Sequence, residues 1–179
     1  MMELPRRKRN RLKNYDYSSP GVYYITICTR NMAELFWDNV DIPAAEITDV
    51  GAASGRPQHC TNLPQSHCLS AYGQIVDVAI QNIQRFYPAV SVNKYVIMPN
   101  HVHLLLQIHS DDFGRPLAAP TISTVIQRMK AYATKQIGFS VWQKLFHDHI
   151  VRTPRDYDMI WQYIENNPLK WEEDCFYPK

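Results

Sequence analysis

Two histidines one residue apart are the residues of this chain best suited to chemistry. They stand at the start of an apolar run, Pro99-Asn100-His101-Val102-His103-Leu104. Successive side chains of a β-strand point to opposite faces, so His101 and His103 share one face while Val102 lies on the other. Two imidazoles side by side on a strand can supply half of the ligands of a divalent metal ion. The pattern therefore predicts a metal site that a later element completes with a third ligand and a nucleophile.

A helix near the C-terminus offers both missing groups. Thr153-Pro154 has the composition of a helix start, and Asn167-Pro168 is typical of a helix end. Tyr163 and Asn167 are four residues apart and therefore share one helix face. If that face meets the histidines, the Asn167 amide oxygen completes a site for Mg²⁺ or Mn²⁺ with the Tyr163 phenol beside it. A phenol beside such a metal suits phosphoryl transfer, because the metal offsets the charge that develops as the tyrosine oxygen attacks.

Other residues compete for both roles. His147-Asp148-His149 is a second His-x-His with strand-like flanks and an added carboxylate, and His149 is the secondary candidate for the site. Tyr132 on an earlier predicted helix is a rival nucleophile. The apolar stripe of that helix indicates that the Tyr132 face belongs largely to the core, so Tyr163 is favoured.

Positive charge is concentrated near the N-terminus, although the formal net charge of the 179 residues is only +2. Such a run suggests an anionic partner, and a second predicted helix adds further cations. The candidate DNA-binding residues are Arg6, Arg7, Lys8, Arg9, Arg11, Lys13, Arg128 and Lys130. The four cysteines show no Cys-x-x-Cys spacing, which predicts a reducing cytoplasm, and no apolar window is long enough for a membrane span.

The predicted elements follow the order strand, helix, strand, strand, helix, strand, helix. We expect one domain over residues 1–179, with a basic segment over 1–18 and a loop insertion over 41–70. Paired strands with helices on one face indicate an α+β fold with a ferredoxin-like antiparallel sheet. The predicted strands span 21–28, 90–98, a segment from 101 and 141–151, and the predicted helices span 71–87, 121–137 and 153–167.

Several of these segments together resemble a known family. The His-hydrophobic-His stretch at 99–104 is similar to the motif of single-tyrosine HUH transposases. The REP-associated tyrosine transposases resemble the chain more closely and over nearly its whole length outside 41–70. The segments that carry this resemblance are Leu12-Lys13-Asn14-Tyr15-Asp16-Tyr17, Thr26-Ile27-Cys28-Thr29, Phe146-His147-Asp148-His149-Ile150-Val151-Arg152 and Tyr163-Ile164-Glu165-Asn166-Asn167-Pro168.

The resemblance implies a metal-dependent single-stranded DNA endonuclease and strand transferase of the HUH endonuclease fold. Its substrates would be DNA hairpins of repetitive extragenic palindromes, and the basic segment would contact DNA beside the hairpin foot. His101 and His103 would bind the metal, and Tyr163 would form a 5′-phosphotyrosine while releasing a 3′-hydroxyl. Asn167 would be the third ligand, although its side chain is shorter than the Gln that some relatives have there. The expected state is a monomer, with a dimer as the alternative, and the expected location is the prokaryotic cytoplasm, in association with the nucleoid.

Two other functions fit the same residues. One is a protein of the same fold that binds nucleic-acid hairpins without cleaving them. The other is a metal-dependent hydrolase of small phosphate esters, which would pass the phosphate to water. The sequence lacks the acidic cluster that many two-metal phosphatases employ, and this counts against the hydrolase.

Overall fold

The histidine pair lies on one of the two central strands of a four-stranded antiparallel sheet. The computed structural model describes residues 15–39, 67–110 and 120–178. Within them the strands are β1 (Gly21–Cys28), β2 (Trp37–Asn39), β3 (His67–Leu69), β4 (Val90–Ile97), β5 (His101–Ile108) and β6 (His147–Val151). The α-helices are α1 (Ala71–Phe86), α2 (Ile122–Ile137) and α3 (Pro154–Asn166), and 3-10 helices span Arg30–Met32 and Asn167–Glu173.

The strand order confirms the predicted fold class. The sheet has the order β4-β5-β1-β6, and β2 and β3 form a separate two-stranded sheet. All the pairings within the four-stranded sheet are antiparallel. A chain that runs β-α-β-β-α-β with this strand order has the ferredoxin-like arrangement, and the protein is therefore of the α+β class.

The helices begin at the capping residues that the sequence indicates. The side-chain oxygens of Ser70, Thr121 and Thr153 each accept a hydrogen bond from the backbone N–H three residues later, which satisfies one free donor of α1, α2 and α3. Gly138 follows α2 with φ of 91°, a conformation that glycine adopts without a steric penalty. None of the helices in the described ranges is long and apolar enough to cross a membrane.

Two predicted segments differ from the structure. The segment over 141–151 was predicted to be extended throughout, but only its second half forms a strand, β6. Before β6, the segment pairs with the rest of the described chain only through an isolated bridge between Trp142 and Thr29. The predicted insertion over 41–70 ends in β3, which pairs with β2, and residues 40–66 lie outside the described ranges. The basic residues of the N-terminal segment up to Asn14 also lie outside them.

Helices cover both faces of the sheet, whereas the sequence suggested one face. Val102, Leu104 and Leu106 of β5 are buried in one cluster with apolar residues of α1 and α2. The opposite face of β5 carries the histidines, and α3 packs there, since Tyr163 contacts the ring of His103. The alternation of the strand therefore separates a wholly apolar core from a polar layer under α3.

Gly73 in the first turn of α1 gives a test of this packing. A Cβ at position 73 would overlap the Phe36 carbonyl oxygen, which is itself fixed by a hydrogen bond from the Ser70 N–H. Alanine normally favours a helix over glycine, but this backbone contact cannot yield as a side chain would. We expect Gly73→Ala to lower the free energy of unfolding by about 1–3 kcal/mol in a denaturant titration. Gln84→Ala, on an exposed position of α1, should change it by less than about 0.5 kcal/mol, and an equal effect of the two would contradict this packing.

Candidate metal and tyrosine site

The two imidazoles converge on one point in the polar layer. Strand β5 pairs with β1 so that His103 lies opposite Thr26 and His101 opposite Cys28. The Nε2 atoms of His101 and His103 are 3.0 Å apart, and the two side chains are 0% and 1% exposed. Two ligands at right angles around an ion about 2.1 Å away also lie about 3.0 Å apart. The spacing therefore matches that of neighbouring ligands on one octahedral ion.

Neighbouring polar groups hold both rings in this orientation. His101 Nδ1 donates to Asn100 Oδ1 at 2.9 Å, because the Asn100 amide nitrogen already donates to the Phe176 carbonyl. His103 Nδ1 lies 2.7 Å from the Tyr24 hydroxyl and 2.9 Å from Thr26 Oγ1. A proton on Nδ1 leaves the lone pair of Nε2 free, which is the arrangement of a metal-binding histidine.

Burial keeps both imidazoles uncharged. It lowers the pKa of His101 to about 4, against the opposing effect of Asp174. It also holds the pKa of His103 well below the usual value, and His101 adds to this effect. Neutral imidazole is the form that binds a cation, so both rings are in the binding form at neutral pH.

Asp174 completes a group of three potential ligands. Its carboxylate, His101 and His103 offer ligand atoms that all lie within 4.8 Å of one another. Burial acts to raise the pKa of Asp174, but hydrogen bonds from the Phe176 N–H and the Asn167 amide, together with His101, outweigh it and lower the pKa. Asp174 is therefore a carboxylate at neutral pH. The sequence analysis missed this residue, because no periodicity marks the segment after Pro168.

The Tyr163 phenol lies against this group. Its hydroxyl donates to Asp174 Oδ2 at 3.0 Å, and its ring centroid is 5.2 Å from that of His103. Tyr163 is 42% exposed, so an external group can reach it. Burial of the hydroxyl and the nearby Asp174 carboxylate raise the pKa of Tyr163, and the phenol is protonated at neutral pH.

Asn167 has one amide atom without a partner. Its Nδ2 donates to Asp174 Oδ2 at 2.8 Å, whereas its Oδ1 is buried and accepts no hydrogen bond from the described part of the chain. An unsatisfied buried carbonyl oxygen is costly unless another ligand, such as a cation, contacts it. The two imidazole nitrogens and the Asp174 carboxylate oxygen form a mixed donor set that fits a divalent metal ion, and Asn167 adjoins this set through its bond to Asp174.

The chain after α3 closes over the histidines instead of leaving the domain. Pro168 ends the α-helix, as the sequence indicates, but residues Asn167–Glu173 continue as a 3-10 helix. The His101 ring then lies 5.9 Å from Trp171 and 4.6 Å from Phe176, measured between centroids. These contacts account for the burial of the imidazole pair.

Other candidate residues lie apart from this group. His149 is on the same face of the sheet, opposite Tyr24 in the β1–β6 register, and its Nε2 is 2.8 Å from Asp156. Arg128 and Lys130 are on α2, which packs on the face opposite to the histidines, and Lys130 donates to the Gln143 carbonyl. Their binding of DNA stays a prediction, as does that of the N-terminal cations outside the described ranges.

Comparisons with known proteins identify relatives of the chain, although no protein-family profile matches it. An uncharacterized protein of Haemophilus influenzae is 32% identical over 190 residues, which cover 96% of this chain and 93% of that protein. A REP-associated tyrosine transposase of Escherichia coli is 29% identical over 109 residues, covering 59% of this chain and 60% of that protein. The structure of a REP-associated tyrosine transposase bound to a REP hairpin matches 96% of this chain and 74% of that one, with a TM-score of 0.58 and 20% identity. At this identity the structural likeness establishes the fold.

Proposed function

We propose that the chain, like the REP-associated tyrosine transposases to which it is related, cleaves and rejoins single-stranded DNA at hairpins of repetitive extragenic palindromes. The observation that carries this proposal is the hydrogen bond from the accessible Tyr163 hydroxyl to the Asp174 carboxylate. This carboxylate lies next to two histidines whose nitrogens could bind a metal ion.

The metal in this proposal is Mg²⁺ or Mn²⁺, and its ligands are His101, His103, Asp174 and Asn167. Bound there, the cation would supply positive charge against a non-bridging oxygen of the scissile phosphate, which lowers the energy of the charge that builds up. Asn100, Tyr24 and Thr26 support the site by fixing the two rings. Such supporting groups typically contribute about 10–100-fold in metal affinity.

Tyr163 is the proposed nucleophile. Its oxygen forms a bond to phosphorus as the bond from phosphorus to the 3′ oxygen breaks, which leaves a 5′-phosphotyrosine. The raised pKa of Tyr163 disfavours ionisation before attack, so the proton leaves as the new bond forms. Asp174 Oδ2 lies 3.0 Å from the phenol and accepts this proton, while the departing 3′ oxygen takes one from water.

The covalent intermediate explains how one site can both cut and join. A phosphotyrosine keeps the phosphodiester in an activated form, and a 3′-hydroxyl can attack it and release Tyr163. Rejoining therefore requires no nucleotide triphosphate. The substrate would be single-stranded beside the hairpin, because an exposed phosphodiester must reach the phenol. We propose that the chain acts as a monomer.

Two end-labelled substrates test this function. Hairpins from repetitive extragenic palindromes, with single-stranded flanks, would be incubated with the wild-type chain and Mg²⁺ or Mn²⁺. DNA labelled at its 3′ end should migrate with the protein under denaturing conditions, and DNA labelled at its 5′ end should be shortened to a product with an extendable 3′-hydroxyl. EDTA should reduce both products by at least about 100-fold. Cleavage without a covalent adduct would contradict the tyrosine mechanism and favour a hydrolase.

A second function is favoured by the burial of the imidazole pair. His101 and His103 are almost inaccessible beneath Trp171 and Phe176, as expected of a chain that binds hairpins without cleaving them. The same two substrates separate the candidates. A binding protein would retard the hairpin on a native gel and leave both labelled strands intact under denaturing conditions.

A further inference from the structure

A cavity lined mostly by residues with polar side chains opens beside the proposed nucleophile. It has a volume of about 450 Å³ and lies between the last turn of α3 and the 3-10 helix that follows. Tyr163, Asn167 and Asp174 form its inner wall, and Gln162, Asn166 and Lys170 are among the residues toward solvent. This volume is within the range of small-molecule sites, and the metal chemistry described above leaves the outer part of the cavity without a role.

Lys170 is the one cation among the described residues that line this cavity. Two carboxylates, Glu173 and Asp174, also line it, so an anionic phosphodiester that approaches Tyr163 requires positive charge nearby. The 3-10 helix is interrupted at Lys170, where φ is −117° and ψ is 26°. By contrast, Lys94 is engaged by Glu165 at 3.2 Å and lies over the Trp161 ring. Lys170 is therefore the lysine available to a phosphate at this cavity.

Two amides one helical turn apart lie at the same opening. Asn166 donates from Nδ2 to the Gln162 carbonyl, which leaves its Oδ1 free to accept. The Gln162 amide offers both a donor and an acceptor at the exposed side of α3. Side-chain amides recognise base edges through paired donor and acceptor groups, and an unpaired base exposes its edges for such contacts.

We infer that this cavity binds the unpaired nucleotide next to the scissile phosphate, with Lys170 contacting the phosphate and Gln162 contacting the base. The inference rests on the proposed function and extends it to sequence preference at the cleavage position. Hairpin binding and cleavage selectivity then involve different surfaces. Substitutions at the cavity should change the rate of adduct formation far more than hairpin affinity.

The test measures the rate of covalent adduct formation with 3′-labelled hairpin DNA. Lys170→Gln should lower this rate at least about 10-fold, and Lys170→Arg, which keeps the charge, should retain it to within about 3-fold. Lys135→Gln removes the same charge from an exposed position of α2 and should leave the rate within about 2-fold. Native-gel titrations should give hairpin affinities within about 3-fold for all the variants, and thermal unfolding checks that each one is folded.

Substrates that lack one base test the role of Gln162. In separate oligonucleotides, an abasic nucleotide replaces the one on either side of the scissile phosphate. One of the two should slow the wild-type chain about 10-fold but slow Gln162→Ala less than about 3-fold, because the contact is already absent. If the wild-type chain forms no adduct, the proposed function falls and this inference with it. If it forms an adduct at a rate that neither Lys170→Gln nor an abasic substrate lowers, the proposed function stands and the cavity assignment alone is overturned.

Discussion

Replacing Tyr163 with phenylalanine should abolish the covalent protein–DNA adduct while leaving hairpin affinity unchanged within about 2-fold. Phenylalanine keeps the ring that contacts His103 and removes only the oxygen that is proposed to attack phosphorus. Loss of a nucleophile costs several orders of magnitude, so adduct formation should fall at least about 1000-fold. The measurement is a denaturing gel with 3′-labelled hairpin DNA, beside a native-gel titration of the same variant.

Tyr132 supplies the matched control, because it is the rival tyrosine that the sequence offers. It lies on α2, on the other side of the sheet from the histidines, and it is packed against the apolar core. Tyr132→Phe should therefore form the adduct at the wild-type rate. An adduct that survives Tyr163→Phe and disappears with Tyr132→Phe would place the nucleophile on α2 and contradict its assignment to α3.

Tyr163→Phe should also lower the free energy of unfolding of the metal-free protein by no more than about 1 kcal/mol. The hydroxyl donates to Asp174, but Asp174 keeps its hydrogen bonds from Asn167 and from the Phe176 backbone. A bond at a partly exposed position contributes about 1 kcal/mol, so the variant remains folded. Its loss of chemistry can therefore be separated from a loss of structure.

Local signals predicted most of the elements. The apolar alternation of β5 and the caps of α1, α2 and α3 act within a few residues, and a reader can recognise them without knowing the fold. The same signals could not say which face of the sheet α3 covers. Its apolar stripe is compatible with either face, and the choice depends on packing between segments that are distant in the chain.

The candidate site was predictable to the extent that its residues share one element. A spacing of two residues on a strand placed His101 and His103 on the same face of the sheet. A spacing of four residues placed Tyr163 and Asn167 on the same face of a helix. The contacts between these two pairs required the antiparallel register of β1 with β5 and the docking of α3, which sequence spacing does not encode. In the structure, the histidine pair and the Tyr163–Asn167 pair therefore lie together at one site.

Other contributors were missed for different reasons. Tyr24 and Thr26 lie two apart on β1, a pattern that shows their common face but not that His103 is their partner. Asn100 lies between β4 and β5, where sequence spacing gives its side chain no role, yet this side chain orients His101. Asp174 lies in a segment where a 3-10 helix ends, and such segments carry no apolar period that would place a side chain.

Removal of the His103 imidazole should strongly weaken metal binding at the proposed site. His103→Ala deletes one of four proposed donors and leaves a cavity where Tyr24 and Thr26 lose their partner. We expect affinity for Mn²⁺, measured by calorimetry, to fall at least about 100-fold, since even the loss of a supporting group costs about 10–100-fold. Adduct formation should fall with it, and thermal unfolding would show whether the variant is folded.

His149→Ala is the control that decides between the two His-x-His pairs. His149 lies on the same face of the sheet, but it is exposed and its Nε2 is bound to Asp156 instead of converging with a second imidazole. The variant should keep Mn²⁺ affinity within about 2-fold, because an exposed side-chain contact of this kind contributes little to the rest of the structure. The buried pair is proposed to bind the metal through two rings that are already oriented, so only removal of a member of that pair should lower Mn²⁺ affinity. If His149→Ala lost Mn²⁺ binding and His103→Ala retained it, the metal site would have to lie on β6. The proposed mechanism, which needs the cation beside Tyr163, would then be contradicted.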